Sequence, residues 1–203
     1  MELRLEATAL VVVDMQNGFC HSDGSVDRIG LPAAALQPAV APCTRLLAAA
    51  RSAGVPVIYT RYVYRPDYTD GGVMVHELIP DLKRGECLKA GTWDADVIDE
   101  LSPQDTDYVI DKNRPSAFYA TGIEPILTSL GIQDLVVCGV TTNCCVETTV
   151  RDASQRDYHT FVVGDAVAEY EQDRHDAALK SMGMLFARVV QVKDVLAAWG
   201  QAA

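Results

Sequence analysis

The feature that most constrains the fold is an alternation. Short β-branched runs recur along the chain, separated by longer Ala- and Leu-rich stretches. Apolar runs of strand length lie at Ala9–Met15 (ALVVVDM), Val55–Tyr62 (VPVIYTRY), Asp107–Lys112 (DYVIDK), Asp134–Val140 (DLVVCGV), His159–Ala166 (HTFVVGDA) and Ala187–Val192 (ARVVQV). They carry little of the period-two pattern of a half-exposed strand, which suits strands buried on both faces of a parallel sheet. Helix-like segments fill the gaps: Pro38–Ala53, stopped by Gly54; Gly122–Leu130, stopped by Gly131; then Asn143–Arg156, Asp173–Leu185 and Val195–Trp199. Strand–helix alternation implies right-handed βαβ crossovers and a three-layer, doubly wound α/β fold. With 203 residues and no repeat, low-complexity tract or linker, one domain over 1–203 is expected. Residues 65–101 form the long irregular part, with Pro66, Gly71, Gly72, Pro80, Gly85 and Gly91, and segments of this kind often serve as lids.

Charge and cysteine usage narrow the function. A formal net charge of -11 argues against a nucleic-acid partner, which would need clustered Lys and Arg. It leaves room for a small anionic substrate held by one local cation. No stretch approaches the ~20 apolar residues of a membrane span. The apolar run near the N-terminus is short and flanked by Glu2 and Glu6, unlike a signal peptide, so a cytoplasmic protein is expected. Cys20, Cys43, Cys87, Cys138, Cys144 and Cys145 include no Cys-x-x-Cys pair, so no zinc pattern is present. A reducing compartment and an ample core make disulfides unnecessary.

In open α/β sheets, ligands bind outside the carboxyl ends of the strands. Asp14 lies at the end of the first run, Lys112 ends the third, and the fourth leads through Gly139 into the pair Cys144–Cys145. Each has a plain structural reading: a turn-forming Asp, a solvated Lys, a small core Cys. Together at three strand ends they supply an acid, a cation and a thiol, the parts of activated-thiol catalysis. A cysteine in the first turn of the following helix would sit at free backbone N–H groups and the positive end of the helix dipole. Both favour thiolate, Lys112 would add to the effect, and the same N–H groups could hold an oxyanion. Thr142 or Asn143 is the expected N-cap. Successive helical residues differ by about 100°, so the two thiols are expected to face different ways. With Val146, Val150 and Ala153 packed on the sheet, the wheel favours Cys145 over Cys144 without deciding between them.

The stretches VVVDMQNGF, DKNRPSAFYATGI and GVTTNCCVETTVRDA, in this order and spacing, resemble the isochorismatase-like cysteine hydrolases over about Thr8–Val192. The resemblance implies a six-stranded parallel sheet and a catalytic triad of Asp14, Lys112 and Cys145. It places Cys144 where an ordinary apolar residue is usual. It further implies a cis peptide between Val140 and Thr141, with the Thr141 and Cys145 N–H groups as the oxyanion hole. The family's chemistry is mostly hydrolysis of C–N bonds in small amides and ureido compounds through a Cys thioester. A homo-oligomer, dimer or tetramer, is expected.

Departures from relatives narrow the choice. Nicotinamidases of this fold carry a metal-holding Asp-x-His after the second strand. Here YTRYVYRPDYTDGGVMVHEL holds only His76, so neither metal nor other cofactor is expected. Isochorismatases that cleave a vinyl ether usually lack the cysteine, and Cys145 argues against that reaction. The motifs lie nearest the ureidoacrylate, biuret and N-carbamoyl amidohydrolases. Gln16, Phe19, Arg114, Phe118 and Thr142 are candidate substrate contacts, Arg114 as a bidentate clamp for a carboxylate or carbonyl. Tyr62, Tyr64 and Trp93 are candidates for a lid or a subunit contact. The alternatives are an ether hydrolase, told apart by pyruvate rather than ammonia release, and a non-catalytic binding protein, which has no reason to keep all three triad residues.

Overall fold

Six β-branched runs become six parallel strands. The computed structural model describes residues 3–201. The strands are β1 (Thr8–Val13), β2 (Val57–Tyr62), β3 (Tyr108–Lys112), β4 (Asp134–Val140), β5 (His159–Ala168) and β6 (Arg188–Val190). They form one sheet in the order β3-β2-β1-β4-β5-β6, every pair parallel. β1 and β4, at the centre, are buried at every position, which accounts for their unbroken apolar runs. The outer strands β3 and β6 are partly exposed, and β6 keeps only three residues of its run.

Period-two side chains send the two faces of each strand into separate cores. Ala9, Val11 and Val13 of β1 face one core with Ile123 and Leu127 of α2 (Ile123–Ser129), Val150 and Ala153 of α3 (Glu147–Ser154), and Ala178 and Met182 of α4 (Gln172–Leu185). Leu10 and Val12 face the other, with Leu46, Leu47 and Ala50 of α1 (Val40–Ala53) and Val195 and Leu196 of α5 (Val192–Ala198). The result is the expected three-layer arrangement. Gly54 stops α1 because its φ of 70° opens the left-handed cap that closes the helix.

The chain runs outward from β1 to β2 and β3, then returns to the other side of β1 as β4. The direction of winding therefore reverses between β1 and β4, and a crevice opens at their carboxyl ends. Residues 65–101 cover that crevice with short helical pieces, including a wide turn at Met74–Leu78 and a helix at Asp81–Arg84. Asp94 anchors this cover: its carboxylate accepts the Ser25 N–H at 2.8 Å and the Leu88 N–H at 2.6 Å. No helix among the described residues is long and apolar enough to cross a membrane.

Candidate active site

Asp14 directly follows the last residue of β1 and adopts φ 50°, a left-handed conformation uncommon outside glycine but tolerated by Asp. This turn takes the side chain out of the strand's alternation and aims it along the sheet's upper edge. There Thr60 on β2 donates its hydroxyl to Oδ1 at 2.6 Å, and Lys112 donates its Nζ to Oδ2 at 2.6 Å. Lys112 lies two strands away on β3, so its long stem crosses the end of β2. Tyr62, the last residue of β2, provides the bridge: the ammonium sits 4.2 Å from its ring centroid. A further bond to the Arg114 carbonyl, at 3.2 Å, fixes the lysine head.

The side chains of Lys112 and Asp14 are 0% and 1% exposed. Burial pulls the Lys112 ammonium down, yet its contacts with Asp14 and Cys145 outweigh it and hold the group above the ordinary lysine value. The two form a buried ion pair at the carboxyl edge of the sheet.

β4 delivers the thiols. Gly139 holds φ 112°, and a Cβ there would lie 2.1 Å from the Val13 carbonyl oxygen of β1. The close approach requires glycine and brings the chain after β4 beside Asp14. The Val140–Thr141 peptide is cis. Residues Thr142–Val146 then form a wide π-type turn, in which the Val146 N–H reaches back five residues to the Thr141 carbonyl, before α3 continues. This corrects the helical wheel: each residue turns through a smaller angle than in an α-helix, and both Cys144 and Cys145 reach the same cavity. The expected side-chain N-cap is also absent. Thr141 occupies the cap position without a side-chain bond, and the Glu169 carboxylate, from just beyond β5, accepts the Asn143 N–H at 3.1 Å instead.

Cys145 is buried and Cys144 half-buried. The hydrogen bond to Cys144 pushes the Cys145 thiol up, burial adds to this, Lys112 pulls it down and Asp14 raises it again; the net shift is well upward. Cys144, accepting from Cys145 and drawn by Lys112, lies below the usual thiol value despite burial. The net upward push on Cys145 favours its neutral thiol in the resting site.

The cavity in front of the thiols measures about 240 Å³. Its wall is aliphatic and aromatic: Phe19, Val26 and Leu31 from one side, Met74, Ile79, Leu82 and Leu88 from the covering segment, and Tyr62, Tyr64 and Tyr170. Thr141, Asn143, Glu169 and Arg174 add the polar positions. A wider surface groove of about 360 Å³ lies on the Asp111–Asn113 side, but neither cysteine lines it.

Several sequence expectations are redirected. Gln16 is no substrate contact: it is fully buried, accepts the Tyr62 N–H at 2.6 Å and donates to the Tyr62 and Ala95 carbonyls, each at 3.0 Å, so its amide is spent tying β2 to the cover. Arg114 does not line the cavity and grips the Asp70 and Asn113 carbonyls at 2.8 and 2.6 Å. Phe118 is a core residue, 5.9 Å from Tyr158 and capped by Arg156 at 5.0 Å. The Thr142 hydroxyl bonds His175 at 2.9 Å and is buried outside the cavity wall. Trp93 is exposed against His21, whereas Tyr62 and Tyr64 line the cavity. Phe19 and Thr141 also line it. Thr60, Asn143 and Glu169 join the site beyond its sequence candidates. Thr60 and Tyr62 share one strand face at the end of β2, a signal that was available; Glu169 carries no local sequence signal.

Comparison with known proteins agrees with this architecture. The isochorismatase domain model matches residues 8–194. A ureidoacrylate amidohydrolase RutB from Pseudomonas syringae pv. syringae is 36% identical, over 92% of this chain and 81% of its own. A crystal structure of a cysteine hydrolase from Pseudomonas syringae pv. phaseolicola superposes with a TM-score of 0.89 at 30% identity, covering 98% of this chain and 95% of the other. N-carbamoylsarcosine amidase from Thermoplasma acidophilum, also 30% identical, gives a TM-score of 0.75 over 95% and 97% of the two chains. A match of this extent, falling on the segments that carry Asp14, Lys112 and Cys145, makes the chain a member of the isochorismatase family, among its cysteine hydrolases.

Proposed function

We propose that the protein is an amidohydrolase that cleaves a C–N bond of a small amide or ureido compound through a Cys145 thioester. The observation that carries this reading is the buried Asp14–Lys112 pair, closed at 2.6 Å, with Lys112 interacting with Cys145, a buried thiol that lines a small cavity. The named activities of the relatives, on ureidoacrylate and N-carbamoylsarcosine, point to the same bond type.

Substrate enters the cavity and displaces water. Asp14 takes the Cys145 proton, and the thiolate attacks the carbonyl carbon while Lys112 holds Asp14 in place. The carbonyl oxygen becomes an oxyanion, received by the Thr141 and Cys145 N–H groups. The intermediate collapses, the C–N bond breaks, and Asp14 returns the proton to the leaving nitrogen. Water, deprotonated by Asp14, then attacks the thioester; the C–S bond breaks, the acid leaves, and Asp14 returns the proton to Cys145. The raised thiol fits this order of events: the nucleophile is protonated at rest and becomes reactive only when substrate reorganises the site.

An ammonia-release screen over ureido acids, biuret, maleamate and simple ureas tests the proposal. Turnover should appear with at least one of them and vanish in Cys145→Ala. Release of pyruvate from a vinyl ether substrate, with no ammonia from any amide, would overturn it.

A further inference from the structure

Glu169 is a charged group in the cavity wall that the chemistry above does not use. Its residue is 8% exposed, and what remains exposed borders the cavity. Oε2 accepts the Asn143 N–H at 3.1 Å and Oε1 accepts the Tyr170 N–H at 2.9 Å. A carboxylate offers about four lone-pair sites, so two backbone donors leave acceptor capacity on both oxygens. No Lys, Arg or His among the described residues pairs with it.

The other charges around the cavity are already matched. Lys112 is spent on Asp14 at 2.6 Å. Arg174, at the wall, pairs with Glu171 at 2.7 Å, and its side chain is 43% exposed, so water and its partner screen it. Apart from Thr141, Asn143 and the two thiols, the rest of the lining is aliphatic or aromatic and lowers the local dielectric, which strengthens the unmatched charge. Glu169 is therefore the one carboxylate among the residues that line the cavity, and no cation among the described residues pairs with it.

We propose that Glu169 sets substrate specificity: it receives an N–H donor group, an amine or a second amide, on the non-reacting end of the substrate, and it disfavours a carboxylate there. The inference rests on the amidohydrolase reading of the cavity and narrows it to amides and ureas whose far end is rich in N–H groups. Cys145 lines the same cavity, so one small substrate can reach both groups.

The test uses three ureas of matched length that differ only at the far end: N-(2-aminoethyl)urea, N-propylurea and 3-ureidopropionate. Ammonia release by the wild-type enzyme should fall in that order in kcat/KM, each step by about tenfold, the scale of one charge contact in a partly desolvated site. Glu169→Gln keeps the shape and an acceptor for the Asn143 N–H, and it should collapse the ratio between the aminoethyl and propyl compounds toward unity. Protection of Cys145 from iodoacetamide by the same three ureas reads the same order without turnover. Absence of turnover with the protection order intact would count against the amidohydrolase reading alone. A wild-type preference for 3-ureidopropionate, lost in Arg174→Ala, would overturn the inference and move specificity to Arg174. An order unchanged by Glu169→Gln would overturn it too. If that variant does not fold, the wild-type order decides: equal rates or a carboxylate preference sinks the proposal.

Discussion

At the scale of single residues, two adjacent thiols share one cavity, and substitution tells them apart. Cys145→Ala is expected to abolish turnover, and Cys144→Ala to retain most of it, with peptide mapping after iodoacetamide finding the inactivating label on Cys145. The hydrogen bond to Cys144 raises Cys145, so Cys144→Ala removes an upward push. The pH profile of Cys145 alkylation should then move to lower pH, with faster labelling at neutrality because more thiolate is present. Lys112→Ala removes the group that pulls Cys145 down, so its profile should move to higher pH. Asp14→Asn should cut kcat by the ~10²–10⁴-fold of a general acid–base group. The two defects should not add, because the groups act as one unit. An unchanged alkylation profile in Lys112→Ala would remove the lysine from the proposed triad. Stability supplies a second readout. Breaking a buried pair strands the other charge, so each single substitution should cost about 3–5 kcal/mol in urea unfolding. The double variant Asp14→Asn/Lys112→Met should recover much of that loss, because no buried charge is left unpaired.

At the scale of elements, the site depends on where strands end and how closely they approach. β1 stops at Val13 and β4 passes it so tightly that Gly139 admits no side chain. Gly139→Ala should destabilise the fold by at least about 2 kcal/mol, from backbone strain and a clash with β1 backbone. Even where it folds, the displaced β1 end should move Asp14 and lower kcat; a variant with wild-type melting and wild-type kcat would disprove the close-approach argument. β5 shows a matching adjustment. Its pairing with β4 jumps from Val137–Val162 to Gly139–Val167, an irregularity that spends extra residues on β5. That bulge sets the phase in which the chain leaves β5 and brings Glu169 to the Asn143 N–H.

At the scale of the whole molecule, the sheet order decides that one crevice collects everything. The winding reverses between β1 and β4, and residues 65–101 close the opening with Met74, Ile79, Leu82 and Leu88. No group of three His, Cys, Asp or Glu among the described residues is arranged to hold a metal ion. Activity should accordingly survive dialysis against a strong chelator. Loss on chelation, restored by zinc, iron or manganese, would show a metal role that the arrangement of the described residues does not suggest.

The sequence by itself determined the six strands, the helices between them, the parallel sheet and the three strand-end residues. Each of these rests on local information: β-branched runs, amphipathic spacing and short motifs whose chemistry travels with them. Val146, Val150 and Ala153 pack on the sheet where the wheel put them. Tertiary structure alone decided what the side chains touch. Gln16 and Arg114 looked like substrate contacts, but backbone groups of Tyr62 and Ala95 claimed the Gln16 amide, and the Asp70 and Asn113 carbonyls claimed an Arg114 nitrogen. The cysteine-bearing turn widened to a π-type turn, which no residue in it advertises, and so both thiols met one cavity. Glu169 reached Asn143 across 26 residues of sequence. The physical reason is common to all three: a buried polar group must find a partner, and which partner lies in range depends on strand order, close approaches and bulges rather than on the residue's own neighbours in the chain.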